Sequence, residues 1–368
     1  MDDSTALHNA LIGWFEANRE DLPWRRRRDP YAVWLSEIML QQTRVETVIP
    51  YYERFLARFP TVEALAAAPL DEVLKLWEGL GYYSRARNLH RAAQQIVREW
   101  DGRFPNTVDD LTRLPGVGRY TARAIGSFAF GLDVPVLDGN VMRVLARVFD
   151  VRGDIRLPQT RRELWTLAER LLPVGRAALW NEGLMELGRR ICTPHAPQCS
   201  LCPLRDRCEA YRLGAQEQLP MRSPRERTPH YDVAAAIIRR EDGRILITQR
   251  PLDGMLGGLW EFPGGKRRAD ETLQACLRRE IREELGIEIA VGAQVAVVKH
   301  AYTHFRITLY AFECRHLRGE PQTLGVADWA WVMLDEVDAY AFSAADRRII
   351  AALRDGGQMA LEWGVDEE

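Results

Sequence analysis

The stretch that decides the fold is LPGVGRYTARAIGSFAFGLDVPVLDGN, residues 114–140. Its two early glycines, Gly116 and Gly118, allow a tight backbone turn with outward N–H groups. The apolar spacing predicts a helix over Arg119–Phe130, and a helix N-terminus favours phosphate. After a second apolar run, Asp138 is a candidate for a carboxylate that points into a cavity. An ordinary helical turn with an N-cap aspartate is the alternative that this stretch leaves open.

Length and composition limit the class of protein. A chain of 368 residues predicts two domains, each able to bury a core. With 46% hydrophobic and 28% charged residues, the composition is that of ordinary soluble proteins. No apolar run has the length of a membrane span, and the acidic, amphipathic N-terminus is unlike a signal peptide. We therefore expect a cytoplasmic protein, with no membrane partner.

Charge is distributed unevenly along the chain. Residues 111–230 contain 19 arginines against 12 acidic residues, whereas residues 231–368 have a net charge of −6. A basic segment that also holds the glycine turn indicates nucleic-acid binding there. Lysine occurs only at positions 75, 266 and 299. Arginine suits bidentate phosphate contacts, although a biased genomic composition explains the same preference.

Three further segments of the helical part, residues 1–212, contain candidate functional residues. Arg25 opens a run of four arginines after Trp24, which suits a phosphate backbone or a base stack; a solvated basic loop is the alternative. Proline after Asp29 predicts a helix start, and that helix carries Glu37 beside an apolar stripe. A second glycine turn ends at Tyr82, a candidate wedge for a base stack or an aromatic packed under a helix.

Four of the six cysteines cluster within 17 residues, at Cys192, Cys199, Cys202 and Cys208. Disulfides are rare in cytosolic proteins, so this spacing indicates a metal centre. Structural zinc usually uses two close cysteine pairs, and this segment has one. A compact four-cysteine loop therefore favours an iron–sulfur cluster over zinc.

The polar segment at residues 213–230 contains three prolines and predicts an interdomain linker. Beyond it, period-two patterns predict an α+β domain over residues 231–368. This domain contains Gly265-x5-Glu271-x7-Arg279-Glu280-x2-Glu283-Glu284-x-Gly286, a complete Nudix box. Its glutamates at positions 280, 283 and 284 share one predicted helix and are candidates for binding Mg²⁺. A solvated helix with arginine–glutamate pairs is the alternative.

The glycine turn, Asp138 and the cysteine spacing together resemble the helix-hairpin-helix DNA glycosylase superfamily, and most closely its MutY-type adenine-DNA glycosylases. The resemblance covers nearly the whole chain. It implies a multidomain fold: an all-α helix-hairpin-helix glycosylase domain over residues 1–212, with an iron–sulfur cluster loop at 192–208. The linker at 213–230 and an α+β Nudix-like lesion-recognition domain at 231–368 follow. It also implies a [4Fe–4S] cluster on the four cysteines.

The same resemblance assigns an activity and its residues. It implies a monomer that hydrolyses the glycosidic bond of adenine mispaired with 8-oxoguanine or guanine in double-stranded DNA. Glu37 would be the proton-transfer acid and Asp138 the carboxylate that stabilises the sugar cation. The other implied residues are Tyr120 and Asn140 in the catalytic pocket, Arg25, Gln42, Tyr82, Gly116 and Gly118 on DNA, and Tyr302, Thr303 and His304 on the lesion, where the family has Phe-Ser-His.

Three alternatives remain open from the sequence. An endonuclease-three-type glycosylase and lyase shares the hairpin, the aspartate and the cluster, but it uses a lysine where this chain has Tyr120. No lysine lies between Lys75 and Lys266, which favours simple hydrolysis. The second alternative is a Nudix pyrophosphohydrolase with a DNA-binding module. The third is a catalytically silent lesion-binding protein, which the pairing of Glu37 with Asp138 disfavours.

Overall fold

The computed structural model describes residues 3–224, 228–356 and 359–361. Contacts divide the chain into two compact units, residues 1–67 with 91–225 and residues 68–90 with 226–368. Residues 225–227 of the expected linker lie outside the described residues. Among the helices that the structure describes, none combines the length and apolar character needed to cross a membrane.

Helices dominate the first 213 residues, as predicted. They are α1 (Asp3–Asn18), α2 (Pro23–Arg26), α3 (Pro30–Leu40), α4 (Val45–Arg58), α5 (Val62–Ala67), α6 (Leu70–Trp77), α7 (Ser84–Trp100), α8 (Val108–Thr112), α9 (Arg119–Phe130), α10 (Gly139–Val148), α11 (Pro158–Arg170), α12 (Ala177–Arg190) and α13 (Glu209–Leu213). Two short 3₁₀ helices, Cys199–Leu201 and Arg205–Arg207, precede α13. The α9 helix has the predicted bounds because glycines flank it: Gly118 at its N-cap and Gly131, in the left-handed conformation, at its C-cap.

The core that supports the catalytic residues lies between α1, α10, α11 and α12, where Leu11, Val144 and Leu187 are buried. A small residue on α12 lets α10 begin close to it. A Cβ atom at Gly188 would lie 2.6 Å from the Cβ atom of Asn140, well inside van der Waals contact. The first turn of α10 is therefore positioned directly against α12.

The second unit is built on a mixed sheet. Its strands are β1 (His230–Arg239), β2 (Ile245–Gln249), β3 (Trp260–Glu261), β4 (Gly264–Lys266), β5 (Glu288–Ala301), β6 (Arg306–Arg318), β7 (Asp328–Val332) and β8 (Met359–Leu361). The order is β3-β2-β1-β6-β5-β8, with β4 paired to β1 and β7 to β2. The β1 and β6 strands run parallel, while β5 and β6 form an antiparallel hairpin.

The two faces of the sheet are covered by different helices, α14 (Leu273–Leu285) and α15 (Ala344–Arg354). Alternate residues of β1 point to opposite faces, so Ile237 packs with Ile349 of α15, and Ile238 packs with Leu277 of α14. This arrangement confirms the predicted α+β class.

Residues 68–90 are grouped with the C-terminal unit, although the sequence-based boundary assigned them to the helical domain. Polar contacts explain the grouping. Lys75 donates to the Tyr340 carbonyl at 3.0 Å, and the Glu78 carboxylate accepts from Arg347 and from the Phe342 amide, both at 2.7 Å. Arg87 donates to the Gly257 carbonyl at 2.7 Å. These bonds attach α6 and the following turn to the sheet unit.

The beginning of the expected linker packs against the helical unit. Arg147 donates to the Leu219 carbonyl at 2.9 Å, and the Ile155 amide donates to the Met221 carbonyl at 3.1 Å. The polar, proline-containing composition predicted a linker, but the segment up to Ser223 has fixed hydrogen-bond partners.

Candidate active site

A cavity of about 430 Å³ opens in the helical unit, within the size range of small-molecule sites. Side chains from α3, α9, α10 and α12 line it. They include the four predicted catalytic residues, which are Glu37, Tyr120, Asp138 and Asn140. These positions are up to 103 residues apart in the sequence and meet at one cavity.

Glu37 lies on α3 and is only 5% exposed. The Tyr120 hydroxyl donates a hydrogen bond to its Oε2 atom at 2.9 Å. The pKa of Glu37 is raised to about 7, mainly by burial; the Tyr120 hydrogen bond opposes this shift, and the nearby charges of Asp138 and Glu182 contribute to it. A buried carboxyl group with a pKa near neutrality is suited to donate and accept a proton.

Asp138 is both an N-cap and a cavity residue. Its Oδ1 atom accepts from the Val141 amide at 2.7 Å, which caps α10. Its Oδ2 atom accepts from the Asn140 side-chain amide at 3.0 Å. Burial raises the pKa of Asp138, and these two donors act against the shift because they stabilise the ionised form. Asp138 is therefore both the N-cap aspartate and the cavity carboxylate, the two interpretations that the sequence left open.

Arg143, one turn further along α10, links the catalytic segment to the first cysteine. Its guanidinium donates to the side-chain Oδ1 atom of Asn140 at 2.8 Å, to the Gly188 backbone carbonyl at 2.7 Å and to the Cys192 backbone carbonyl at 2.7 Å. Asn140 is held in turn against Asp138. Arg143 was not among the predicted site residues, although its i, i+3 spacing from Asn140 was an available signal.

The cavity wall also contains an acidic pair that was not predicted from the sequence. Glu182 and Glu186, one turn apart on α12, both line the cavity. Arg25 donates to Glu186 at 2.9 Å, and its Nε atom lies 3.6 Å from Glu182. Arg28 pairs with Glu182 at 2.9 Å. Arg25 is thus a partly buried member of the cavity wall rather than a solvated basic residue.

The glycine turn before α9 has the expected conformation. Gly116 has φ of 76°, in the left-handed region where a side chain is strained, and the Val117 amide donates to the Leu114 carbonyl at 3.1 Å. Gly118 is the N-cap of α9 and has no side chain to cap the helix itself. The first N–H groups of α9 therefore lack intrahelical acceptors and can bind an anion.

Gln42 and Tyr82 share an uncommon backbone geometry. Their φ values are 56° and 46°, so both non-glycine residues occupy the left-handed region. Gln42 is exposed after α3, and Tyr82 is 40% exposed between Gly81 and α7. Exposed side chains on strained turns are a common feature of binding sites.

All four clustered cysteines line one small cavity of about 20 Å³ near α10. They carry free thiols and are half-buried. Arg147 donates to the Cys192 sulfur at 3.3 Å and to the Thr193 carbonyl at 2.7 Å, so a cation stands beside the first thiol. Within the described residues, no three His, Cys, Asp or Glu side chains are close enough to hold a single metal ion.

The predicted lesion-recognition residues form the turn between β5 and β6. The Tyr302 amide donates to the Phe305 carbonyl at 2.8 Å, which closes the turn. The Tyr302 ring packs inward, with centroids 4.6 Å from His300 and 4.9 Å from Phe305. Thr303 and His304 are exposed at the tip.

The Nudix-box glutamates lie on α14, where arginine engages two of them. Arg279 donates to Glu271 at 2.6 Å, to Glu280 at 2.8 Å and to Glu283 at 3.1 Å. Glu284 has a buried Oε2 atom without a hydrogen-bond partner among the described residues. Its pKa is raised to about 8, mainly by burial and also by the charges of Glu261 and Glu280. Mg²⁺ at Glu280, Glu283 and Glu284 stays a prediction.

Comparison with known proteins identifies the family. Residues 35–170 match the HhH-GPD superfamily base excision DNA repair protein model, and residues 234–352 match the NUDIX domain model. The human adenine DNA glycosylase is 36% identical over 94% of this chain and 73% of its own length. The chain belongs to the adenine DNA glycosylases.

Other similarities agree with the family. The adenine DNA glycosylase of Buchnera aphidicola subsp. Acyrthosiphon pisum (strain APS) is 38% identical over 80% of this chain and 82% of its own length. A solved structure of a thermostable thymine-DNA glycosylase superposes with a TM-score of 0.53 and 32% identity, over 57% of this chain and 97% of that chain. The predicted family, fold class and enzyme class are confirmed, and DNA is the substrate of this adenine DNA glycosylase family.

Proposed function

We propose that this protein is a monofunctional glycosylase of base excision repair, which hydrolyses the glycosidic bond of adenine opposite 8-oxoguanine or guanine. The observation that carries this proposal is the meeting of Glu37 and Asp138 at one cavity, with the pKa of Glu37 near 7. The glycosidic bond is hidden inside a duplex, so the adenine must leave the base stack and enter this cavity.

Glu37 supplies the proton for the leaving base. At neutral pH, a carboxyl group with a pKa of about 7 is protonated in about half of the molecules, so the acid form is available. Protonation at adenine N7 lets the base accept the electron pair of the breaking N9–C1′ bond. Water then adds to C1′, and its proton passes to the Glu37 carboxylate, which restores the acid.

Asp138 stabilises the positive charge that develops on the sugar as the bond breaks. The Val141 amide and the Asn140 side chain hold both of its oxygens, so the carboxylate is oriented before the substrate binds. Tyr120 and Asn140 act as positioning residues for the two acids. Because no lysine lies between Lys75 and Lys266, the pocket has no amine for a Schiff base, which supports hydrolysis without strand cleavage.

The DNA contacts follow from the exposed turns. We propose that Gly116 and Gly118 present backbone N–H groups to a phosphate, while Gln42 and Tyr82 insert beside the extruded nucleotide. Arg25 lies in the cavity wall with Glu182 and Glu186 and contacts DNA around the extruded base. We further propose a monomer that acts on nucleoid DNA in the cytoplasm.

We propose that Cys192, Cys199, Cys202 and Cys208 hold a [4Fe–4S] cluster. The four thiols line one cavity, and their spacing, with a single close pair at Cys199 and Cys202, suits a cluster better than zinc. The four thiolates would hold such a cluster, which would cross-link residues 192–208 when bound. The purified protein should be brown, and Cys199→Ser should lose the colour and bind DNA less tightly; a colourless protein with stoichiometric zinc and full activity would contradict the proposal.

The C-terminal unit reads the base opposite adenine. Thr303 and His304 are exposed and can hydrogen-bond an oxidised guanine, while Tyr302 supports the turn from below. Replacement of Thr303 and His304 by alanine should reduce discrimination between 8-oxoguanine and guanine. Nucleotide hydrolysis by the Nudix box is less well supported because Arg279 already pairs with Glu280 and Glu283. Release of pyrophosphate from 8-oxo-dGTP that needs Mg²⁺ and Glu283 would establish that second activity.

One assay tests the main proposal. The protein is incubated with duplexes that contain adenine opposite 8-oxoguanine, guanine or thymine. Strand breaks in each product are measured before and after alkali treatment. We expect alkali-dependent breaks at adenine in the first two duplexes, with few direct nicks. Efficient nicking without alkali would indicate a lyase, and intact strands in every duplex would contradict the glycosylase assignment.

A further inference from the structure

Two exposed hydroxyl groups of the C-terminal unit meet directly. The Tyr82 Oη atom lies 2.5 Å from the Thr303 Oγ1 atom, although the residues are 221 positions apart in the sequence. Both side chains are exposed, so water was available to each as an alternative partner. The contact joins the turn before α7 to the turn between β5 and β6.

The turn that carries Tyr82 is held from several sides. The Trp77 indole donates to the Gly81 carbonyl at 3.1 Å, and Arg85 donates to the Leu80 carbonyl at 3.0 Å. The Arg85 guanidinium also lies 5.5 Å from the centre of the Tyr82 ring. These contacts hold Tyr82 at its φ of 46°, a left-handed conformation that non-glycine residues rarely adopt.

The Thr303 side of the contact is equally constrained at its base. The inward Tyr302 ring packs against His300 and Phe305, and the Tyr302 amide closes the turn onto the Phe305 carbonyl. At the tip, the Thr303 side chain can still rotate about its Cα–Cβ bond, and a threonine hydroxyl has one donor and two acceptor positions. The bond to Tyr82 selects one of these rotamers.

We propose that the Tyr82 hydroxyl is a positioning group for Thr303. The insertion of Tyr82 beside the extruded nucleotide is then coupled to the recognition of the opposite base by Thr303. This inference rests on the proposed function of both turns. The phenol is the more acidic hydroxyl and therefore the better donor. When it donates to Thr303, the threonine keeps its own proton and one lone pair for the lesion. Without it, Thr303 samples rotamers that face solvent and discriminates less well.

The test compares single-turnover excision rates of adenine opposite 8-oxoguanine and opposite guanine, using the full chain. Tyr82→Phe keeps the ring and removes the hydroxyl, and Thr303→Val keeps the shape and removes the other hydroxyl. We expect each change to lower the ratio of the two rates by about 3- to 10-fold, the effect of one ordinary hydrogen bond. The double variant should lower the ratio no further, because both changes break the same contact.

Two further variants separate positioning from general damage. Thr303→Ser keeps a hydroxyl at this position, so it should retain most of the rate ratio that Thr303→Val loses. Thr323→Val removes an exposed hydroxyl elsewhere and should match wild type. An unchanged ratio in Tyr82→Phe, or effects that multiply in the double variant, would overturn the inference while the glycosylase proposal stands. If wild type excises adenine but does not discriminate between the two partners, the reader proposal and this inference both fail. Absence of any excision by wild type overturns the proposed function itself.

Discussion

Both units bury carboxyl groups with raised pKa values, but the surroundings of these groups differ. In the helical unit, Glu37 has a pKa of about 7 and lines a cavity of about 430 Å³. In the C-terminal unit, burial raises the pKa of Glu261 to about 7 and that of Asp346 to about 6. Glu261 pairs with Arg250, and Asp346 accepts from the Ser343 hydroxyl at 2.6 Å.

The comparison shows that a raised pKa alone does not identify an acid catalyst. Desolvation shifts each of these groups in the same direction. Access to a substrate distinguishes them: the helical unit leaves its acids facing a cavity, whereas Glu261 and Asp346 already have partners within the protein. Structural networks shift pKa values as well as active sites do, so geometry must accompany the titration.

The largest expected effect is on Asp138. Asp138→Asn should reduce adenine excision on the order of 10³-fold, because the amide keeps the shape and loses the negative charge. Asparagine is also a good N-cap, so α10 should remain stable and binding of the lesion duplex should persist. Single-turnover rates and duplex binding are the measurements.

Asp29→Asn is a matched control for that variant. Asp29 caps α3 by accepting from the Ala32 amide at 3.0 Å, the same structural role outside the cavity lining. It should excise adenine at close to the wild-type rate. Comparable losses in both variants would mean that capping, not charge at the sugar, explains the effect of Asp138.

The second prediction concerns pH. Excision needs protonated Glu37, so the rate should fall as pH rises above about 7, by about tenfold per pH unit at the alkaline limit. Glu37→Gln should be nearly inactive, because an amide cannot deliver the proton. Tyr120→Phe removes a hydrogen bond that lowers the pKa of Glu37. Its alkaline limb should therefore move to higher pH.

Glu261→Gln tests whether the pH profile of excision depends on the acid in the cavity. Glu261 has a similar pKa but belongs to the C-terminal unit and pairs with Arg250. The pH profile of excision should keep its position in this variant. A shift as large as that of Tyr120→Phe would show that the profile reports general folding rather than the acid in the cavity.

Local motifs account for what could be predicted from the sequence. Glycines at positions 118 and 131 delimit α9, and Asp138 follows at a short spacing, so the predicted helix and N-cap depend on near neighbours. The close cysteine spacing likewise predicted a shared site. In each case, the residues that interact are within about one motif of each other, where helix and turn rules apply.

Contacts between distant segments could not be predicted in this way. Glu182 joins Glu37 at the cavity only after α12 packs against α9 and α10, and α3 packs against α9. The hydrogen bonds of Glu78 to Phe342 and Arg347 group residues 68–90 with the sheet unit, and no local pattern encodes partners more than 260 positions away. The positive φ of Gln42 is also set by its surroundings, since most glutamines avoid that region.

The smallest expected effect is on stability, at Glu284. Its pKa is about 8 in the folded state and near the ordinary 4.5 when unfolded, so the folded state holds the proton more tightly. The contribution of Glu284 to the free energy of unfolding is therefore fully present below pH 4.5 and is lost as pH rises from 4.5 towards 8. Glu284→Gln cannot ionise and should stabilise the C-terminal unit at pH 8 by about 1–3 kcal/mol, with little gain at pH 5. Calorimetric melting at the two pH values measures the difference.

Glu283→Gln is the control for this prediction. The Glu283 side chain is 52% exposed, so its replacement should change stability by no more than about 0.5 kcal/mol. If Glu284→Gln instead destabilised the protein at pH 8, its carboxylate would have a stabilising partner, such as a bound cation, and the contrast between an open acid site and a closed one would fail at this residue.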